Sequence, residues 1–405
     1  MNFKIPKKPD IKNPRSALAV LFITVFLDLL GFGLIIPILP IFAKELGANG
    51  LMIGIIASSY SLMQFLFSGF WGALSDRIGR RPVILTSILI MVVAYLVFGH
   101  AHSLLLLLLS RILSGLGAAN LSAAQAFISD VSTPENRAKN FGLIGAAFGL
   151  GFIIGPPVGG WLKDSFGIQW VGYAAAFFSL INFLLALLIL PESLPQKNTG
   201  SRLWQNPFKN IIDAILNTRV SPLFIINIIF ITAFSMMQIT AAILWHERFS
   251  LSDAEVGYTF AFVGALAVII QGTLLGRFTA RYQEKKLLAA GTVLMAFGLL
   301  SMPFVPIHLF VPLELLALVL IGFGNAFINP MLSTLLSSEV SSLQQGYYLG
   351  TLQSSGSFAR LIGPILGGTI YDLHYTMPYV AGFLLMAVCF MLSLRLHSRI
   401  AQNPT

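Results

Sequence analysis

Apolar residues occur along this chain in long blocks separated by short polar stretches. Twelve blocks stand out, at residues 16–42, 51–74, 82–99, 103–128, 138–161, 171–190, 222–245, 256–275, 287–305, 309–335, 346–370 and 377–396. Each is near the roughly 17–25 residues that carry a helix across a bilayer. A backbone in hydrocarbon must satisfy its polar groups internally, so the blocks are read as helices. The longest polar stretch, 191–221, falls between blocks six and seven. It is read as a linker joining two halves, 16–190 and 222–396, with an N-terminal segment 1–15 and a tail 397–405. Within the linker, residues 213–217 are predicted to add a short surface helix. The predicted fold class is an all-α membrane protein of twelve transmembrane helices in two pseudo-symmetric six-helix bundles.

The two halves repeat one another. Gly155-Pro-Pro-Val-Gly-Gly160 recurs as Gly363-Pro-Ile-Leu-Gly-Gly368, and Gly142 recurs as Gly350, both at an offset of 208 residues. Arg111 to Gly117 is echoed by Leu318 to Gly324 without the arginine. Gly72 and Arg77 are echoed by Gly276 and Arg281. Several matches at nearly one offset indicate a duplication. Parallel six-helix repeats around a midplane site are a transporter plan.

Composition supports the membrane reading. The chain is 56% hydrophobic and only 10% charged, with mean hydropathy +0.82, against about 25% charged residues in soluble domains. The net charge of +9 could suggest nucleic acid, but its distribution argues against that. With the N-terminus in the cytoplasm, 20 of the 25 Lys and Arg fall in cytoplasmic segments. Three lie in outer loops (Lys44, Lys163, Arg248) and two, Arg111 and Arg360, lie inside spans. That bias predicts both termini on the cytoplasmic side of a cell (inner or plasma) membrane. The block at 16–42 exceeds a signal-peptide core of about 7–15 residues, so it is read as the first span and no cleavable signal is expected. The single cysteine, Cys389, sits in an apolar run and is read as packing.

The candidate chemistry lies in four places. The stretch Gly72-Ala-Leu-Ser-Asp-Arg-Ile-Gly-Arg-Arg81 links spans two and three. Its bland reading is a charged turn that holds the loop inside. Its sharper reading is a conformational latch of Gly72, Asp76, Arg77, Gly79, Arg80 and Arg81, with Asp130 as partner. Span five carries Gly142, Gly151, Gly155, Pro156, Gly159 and Gly160, nearly all on one stripe. This predicts a close packing seam and a gating helix where the halves meet. Three charges lie deep in the membrane: Asp28, about 18 Å along span one at 1.5 Å per residue, Arg111 and Arg360. Each costs at least about 2.5–3.5 kcal/mol there. Such groups face partners or a water-filled path. Asp28 and Arg111, at similar depth, are expected to face one another. They are either a structural ion pair or a proton-coupling pair in which Asp28 gains and loses a proton.

Polar and soft side chains within spans describe a mixed substrate cavity: Tyr60, Gln64, Asn120, Gln125, Phe234, Met236, Met237, Gln238, Trp245, Asn325, Asn329 and Gln353, with Arg360. Glu314 is placed at the rim of span ten. None of the six histidines is assigned as a ligand. No enzyme signature, metal-ligand cluster or phosphate-binding loop ending in Gly-Lys-Ser/Thr occurs. The chain is therefore expected to be no enzyme, to hold no cofactor or metal, and to draw energy from an ion or substrate gradient or from none.

At these residues the sequence resembles the major facilitator superfamily. Gly72 to Arg81 looks like its hallmark loop motif, and Gly276 to Arg281 like a degenerate second copy with Ala280 where the aspartate would stand. Arg111 to Gly117 resembles the span-four motif of proton-coupled members, and Gly142 to Gly160 the antiporter motif of span five. The nearest likeness is the twelve-span drug:proton antiporter branch, notably tetracycline and multidrug efflux transporters. Leu62-Met-Gln-Phe65, Asn140-Phe-Gly-Leu143 and Leu27-Asp28 with Pro37 and Pro40 look close to that group. The resemblance implies rocker-switch alternating access, an outward-facing state held by the Gly72–Arg81 loop and Asp130, and proton coupling by Asp28 and Arg111. It also implies a monomer. One departure is that span nine lacks the acidic residue of tetracycline exporters, while span eleven carries Arg360. The function so read is export of small amphipathic, drug-like compounds by proton antiport, with protons, a small-molecule substrate and the lipid bilayer as partners and no nucleic acid. Transport of a physiological compound such as a metabolite, siderophore or glycolipid stays open. A non-transporting membrane scaffold or sensor is the reading from another class. It would leave the deep charges as pure cost.

Overall fold

The computed structural model describes residues 14–401 apart from 120, 133–135, 195–202, 205 and 342–343. Asn120, residues 1–13, much of the first part of the linker and the last four residues of the tail lie outside the described residues. All regular structure among the described residues is helical. Among the described residues, eleven helices are long and apolar enough to cross a membrane: Ala17–Glu45, Gly50–Ile78, Arg80–Gly99, Leu104–Val131, Gly142–Phe166, Ile168–Ile189, Ser221–Phe249, Asp253–Arg281, Glu284–Phe304, Ile307–Glu339 and Met377–Leu396. The helix Gln345–Leu373, which carries Gln353, three serines and Arg360, completes the twelve. They are numbered spans 1 to 12 in chain order, and each overlaps one apolar block of the sequence.

Local chemistry sets the ends. Asn49 accepts a hydrogen bond from the Met52 amide at the start of span 2. Ser252 and Glu255 form a reciprocal capping box at the start of span 8. Span 2 stops at Gly79, whose φ of +120° suits a residue without a Cβ. Span 1 breaks after Ile35, where Pro37 supplies no amide donor, and resumes as Leu39–Glu45 with Pro40 in its first turn. Span 10 opens with a 3-10 turn, Ile307–Leu309, followed by a π-helical turn, Phe310–Glu314, that contains Pro312.

Packing repeats between the halves. Span 1 lies against spans 5 and 6, span 2 against span 4, and span 3 against spans 4 and 6. In the second half, span 7 lies against spans 11 and 12, span 8 against span 10, and span 9 against spans 10 and 12. The halves meet along spans 2 and 11 and along spans 5 and 8.

Glycines make both kinds of seam, which refines the single stripe expected in span 5. Within the first half, a Cβ on Gly151, Gly155 or Gly159 would press into the backbone of span 1 at Leu29, Gly33 or Leu34. The equivalents Gly363 and Gly367 press on span 7 at Thr232, Ser235 and Met236. Between the halves, Gly160 meets Asp253 and Ala254 of span 8, and its counterpart Gly368 meets Gly50 of span 2. Gly142 belongs to neither seam, with nothing within 4 Å of where its Cβ would stand.

Among the described residues, the close contacts between halves lie at one end of the bundle and in its middle. Spans 5 and 8 touch from Gly160 to Gly149, which meets Val268, and then part. Space is open around Gly142, Gly145, Gly272 and Gly276. Spans 2 and 11 touch from Gly50 and Gly368 to Phe65 and Phe358, whose rings are 5.9 Å apart, and then part. Among the described residues, the far end is thus closed and spans 5 and 8, like spans 2 and 11, part toward the linker end.

The linker helix is longer than expected and starts upstream, at Pro207–Leu216. Asn206 caps it by accepting from the Phe208 amide, and Pro207 occupies its first turn. Ile211 and Ala214 are buried. Phe208 sets its ring against Phe65 and Phe358, 5.0 Å and 5.9 Å away.

Two substitutions should separate the seams. Gly155→Val is expected to lower the melting temperature of the purified protein, since overpacking costs about 1–3 kcal/mol and the clash is within one half. Gly160→Val is expected to part the far end instead, read as faster thiol labelling of a cysteine placed at Ala254. Unchanged labelling in Gly160→Val would refute the assignment of Gly160 to the seam between halves.

Candidate functional site

The deep charges gather where the halves separate. Arg111 of span 4 is 2% exposed, and its guanidinium carbon lies 4.9 Å from the centre of the Tyr60 ring in span 2. Arg111 Nε has no hydrogen-bond partner. Arg360 of span 11 approaches from the other half. Its Nη2 donates to Ser357 Oγ at 3.1 Å. Both guanidiniums and the Asp28 carboxylate lie within electrostatic reach of the Tyr60 hydroxyl. Asp28 Oδ1 accepts from Asn182 Nδ2 at 3.0 Å. Asp28 and Arg111 also both lie within electrostatic reach of the Tyr95 hydroxyl. Phe32 lies 5.0 Å from the Tyr60 ring and 6.2 Å from Phe152 of span 5, which gives the cluster an aromatic wall.

The other cavity candidates divide. Gln64 Nε2 donates to the Ala118 carbonyl at 3.5 Å, and Asn329 donates to Asn325 at 2.5 Å along span 10. Gln125 and Gln238 are half-buried, and Gln353 is exposed. Phe234 stacks on Phe230. Met236, Met237 and Trp245 are buried in the apolar core rather than facing a cavity. Asn120 lies outside the described residues. A groove of about 550 Å³ opens at the linker end between spans 10 and 11, lined by Ser333, Thr334, Ser337, Ser338, Gln345 and Leu349. None of the deep charges lines it.

The Gly72–Arg81 stretch forms a compact charge cluster. Arg80 is 7% exposed and sits between two carboxylates, Asp76 at 2.5 Å and Asp130 at 3.2 Å. It also donates to Ser75 Oγ at 2.5 Å. Asp130 accepts a further bond from Ser193 Oγ at 3.0 Å. Glu192, not singled out in the sequence, accepts from the amides of Arg80 and Arg81 at 2.9 Å and 3.2 Å. It thereby satisfies the first free amides of span 3. The φ of +120° at Gly79 is what makes the turn need glycine, and a Cβ there would also displace Glu192.

The far end is clasped by residues that sequence reasoning had counted only as loop charges or passed over. Lys163 of span 5 pairs with Asp253 of span 8 at 2.9 Å and with Glu45 at 2.7 Å. Asp164 accepts from the Ala254 amide at 2.9 Å. Both oxygens of Asp372 accept from the Gly50 amide, at 2.9 Å and 2.7 Å. Lys44 pairs with Glu247. The available signal was the position of these charges at span ends that a duplication would bring together.

Glu314 departs from its expected rim position. It is fully buried and accepts from Trp245 Nε1 at 2.6 Å. The π-helical opening turn of span 10 places this side chain inside the bundle. Cys389 is buried as packing, as expected.

Comparison with known proteins places this geometry. The sequence model of the Major Facilitator Superfamily matches residues 21–275 and 223–404. The chain is 31% identical to the class C tetracycline resistance protein of Escherichia coli, over 92% of this chain and 95% of that one. It is 29% identical to multidrug resistance protein 2 of Bacillus subtilis, over 94% and 95%. Among solved structures, the human organic anion transporter MFSD10 (TETRAN) superposes with TM-score 0.70 at 26% identity, over 95% of this chain and 100% of that one. Twelve spans in two matching halves and a family match over most of the length agree: the chain is a member of the Major Facilitator Superfamily, a family of membrane transporters.

Proposed function

We propose that this chain exports small amphipathic compounds in exchange for protons, by alternating access between the halves 16–190 and 222–396. The observation that carries this reading is the cluster of Asp28, Tyr60, Arg111 and Arg360 at the point where the halves part, closed toward one end and open toward the other. Charges at that depth cost at least about 2.5–3.5 kcal/mol each, and a path through the membrane gives them a use. The tetracycline and multidrug resistance proteins among the relatives support an exported, drug-like cargo. The bias of Lys and Arg supports cytoplasmic termini in a cell membrane, and with that orientation the described state faces inward.

In this reading Asp28 carries the proton and Arg111 sets its electrostatic surroundings. Asn182 holds the carboxylate in place from span 6. The Asp76–Arg80–Asp130 cluster, with Gly72, Arg77, Gly79 and Arg81, is the latch of the linker end, which engages the second half when that end closes. The far-end clasp around Lys163 and Asp253 is its counterpart in the state described. Span 5 is the gating helix. It is fixed to span 1 by Gly151, Gly155 and Gly159, bent at Pro156, and able to leave span 8 at Gly160.

Purified protein in liposomes with an internal pH-sensitive dye tests the exchange. A panel of amphipathic compounds should evoke proton movement in the wild type and none in Asp28→Asn. Movement that survives Asp28→Asn would remove the proton role from Asp28. The latch is tested separately: Asp130→Asn, at matched protein amount, is expected to slow transport about tenfold, or about 1.4 kcal/mol of barrier. An unchanged rate would exclude Asp130 from the latch.

A further inference from the structure

Contacts match the two halves residue by residue. Asn182 of span 6 donates to the Thr24 carbonyl of span 1 at 3.1 Å, and Cys389 of span 12 donates to the Ile226 carbonyl of span 7 at 3.7 Å. A Cβ on Gly117 of span 4 would meet Met91 of span 3, and one on Gly324 of span 10 would meet Met295 of span 9. Counted from these pairs, Asp28, Tyr95, Arg111, Ser179 and Asn182 stand where the second half has Phe230, Leu299, Leu318, Met386 and Cys389. The second set is buried in one apolar core.

The polar set does not satisfy itself. Among the described residues, the Tyr95 hydroxyl, Arg111 Nε, Ser179 Oγ and Asn182 Oδ1 are buried without a hydrogen-bond partner. Tyr95, Ser179 and Asn182 are 0% exposed. Turning the Asn182 amide over would not help, since its Nδ2 already serves two acceptors, the Thr24 carbonyl and Asp28 Oδ1. The buried Ser59, Ser110 and Ser355 each close on a carbonyl of their own helix, and Ser179 does not. Orphaned polar atoms at this depth call for a small ligand that both donates and accepts.

Three of these atoms gather at one level. Spans 1 and 6 run in opposite directions, with Asn182 beside Asp28. Ser179 is three residues before Asn182 and Gly31 three after Asp28, so both lie about 4.5 Å further toward the far end. The Tyr95 hydroxyl reaches that level, 2.9 Å from where a Cβ on Gly31 would stand. Ser179 and Asp28 are smaller than Met386 and Phe230, at positions where close packing in the second half uses the larger side chains. The extra length of Arg111 over Leu318 lies against the Tyr60 ring. Spans 1, 3 and 6 build this place, whereas the halves meet along spans 2, 5, 8 and 11. The ionisable groups around it are Tyr60, Tyr95 and Arg111, and spans 5 and 6 carry none at this level.

We propose that the first half holds an internal water site between Tyr95, Ser179 and Asn182, and that this water hydrates the Asp28 carboxyl and lets it ionise at membrane depth. This rests on Asp28 as the proton group and adds Tyr95, Ser179 and Asn182 as positioning residues. Buried water makes about three hydrogen bonds. Here it donates to Asn182 Oδ1 and the carboxylate and accepts from a hydroxyl.

X-ray radiolysis of the protein in lipid nanodiscs tests the site, because it makes hydroxyl radicals from water in place and oxidises a buried side chain where water touches it. Tyr95 should be oxidised and its buried counterparts Leu299 and Met386 should not, although methionine is the more reactive side chain. Tyr95 left as unlabelled as Leu299 and Met386 would overturn the water site. The charge on Asp28 is read from the infrared band of its protonated carboxyl, assigned by its loss in Asp28→Asn. At one fixed pH, the ratio of protonated to ionised Asp28 should rise about tenfold or more when Tyr95→Phe and Ser179→Ala are combined, the worth of a hydrogen bond to a charged group. Tyr95→Phe alone should give part of that rise, and it decides the matter if the double variant does not fold. An unchanged ratio would overturn the hydration of Asp28. Neither measurement needs transport: proton movement that survives Asp28→Asn in liposomes would take the proton role from Asp28, while oxidation of Tyr95 would still uphold the water site.

Discussion

Helices in lipid gain little from burying apolar surface against one another, because the tails outside are equally apolar. Close backbone contact has to supply the packing, and here glycine supplies it at repeated positions. Gly155 and Gly159 let span 5 meet the backbone of span 1, and Gly363 and Gly367 do the same for spans 11 and 7. One residue further on, Gly160 and Gly368 turn toward the opposite half. A single Gly-Pro-x-x-Gly-Gly stretch therefore builds both the seam that holds a half together and the seam along which two halves part. The bundle can be rigid within each half and separable between them because the same helix presents two faces with different partners.

Charge is placed where this plan can tolerate it. The ends of the bundle hold ion pairs and helix-end carboxylates: Lys163 with Asp253 at one end, Arg80 with Asp76 and Asp130 at the other. The first joins two halves and the second lies within one. On the proposed alternating-access reading, that asymmetry is what is required, since both ends cannot be bridged at once without closing the path. Between them, the middle keeps only a few charges, gathered around one tyrosine.

Much of this was legible in the sequence. The twelve blocks, the linker and the duplication all follow from long apolar runs and an offset of 208. The Asp76–Arg80–Asp130 cluster was legible too, because its residues are close in sequence or lie at one end of neighbouring spans. Less legible were contacts between the halves. Nothing local in Lys163-Asp164 or in Asp372 marks a partner some 90 or 322 residues away. They become readable only once span 5 is known to lie on span 8 and span 2 on span 11. Glu314 failed for a local reason: its place near the outer end of span 10 suggested the rim, whereas it closes a π-helical turn, Phe310–Glu314, and is buried against Trp245. The linker helix began early because Asn206 and Pro207 outweigh the apolar spacing further on.

The aromatic contact at the parting of spans 2 and 11 ties these levels together. Phe65 and Phe358 are the last rings to touch before the halves diverge, and Phe208 of the linker helix packs against both. The linker is also bound further along, where Asn217 donates to Tyr348 of span 11 at 2.9 Å and Arg219 pairs with Glu339 of span 10 at 2.9 Å. The linker helix and its end are thus anchored mainly on the second half, while Phe208 against Phe65, Trp204 against Phe67, and Glu192 and Ser193 at the Arg80 cluster hold the linker to the first. A rotation that closed the linker end would have to bring spans 2 and 11 together through the place Phe208 now occupies. The segment that joins the halves is therefore part of the geometry that holds them apart at that end.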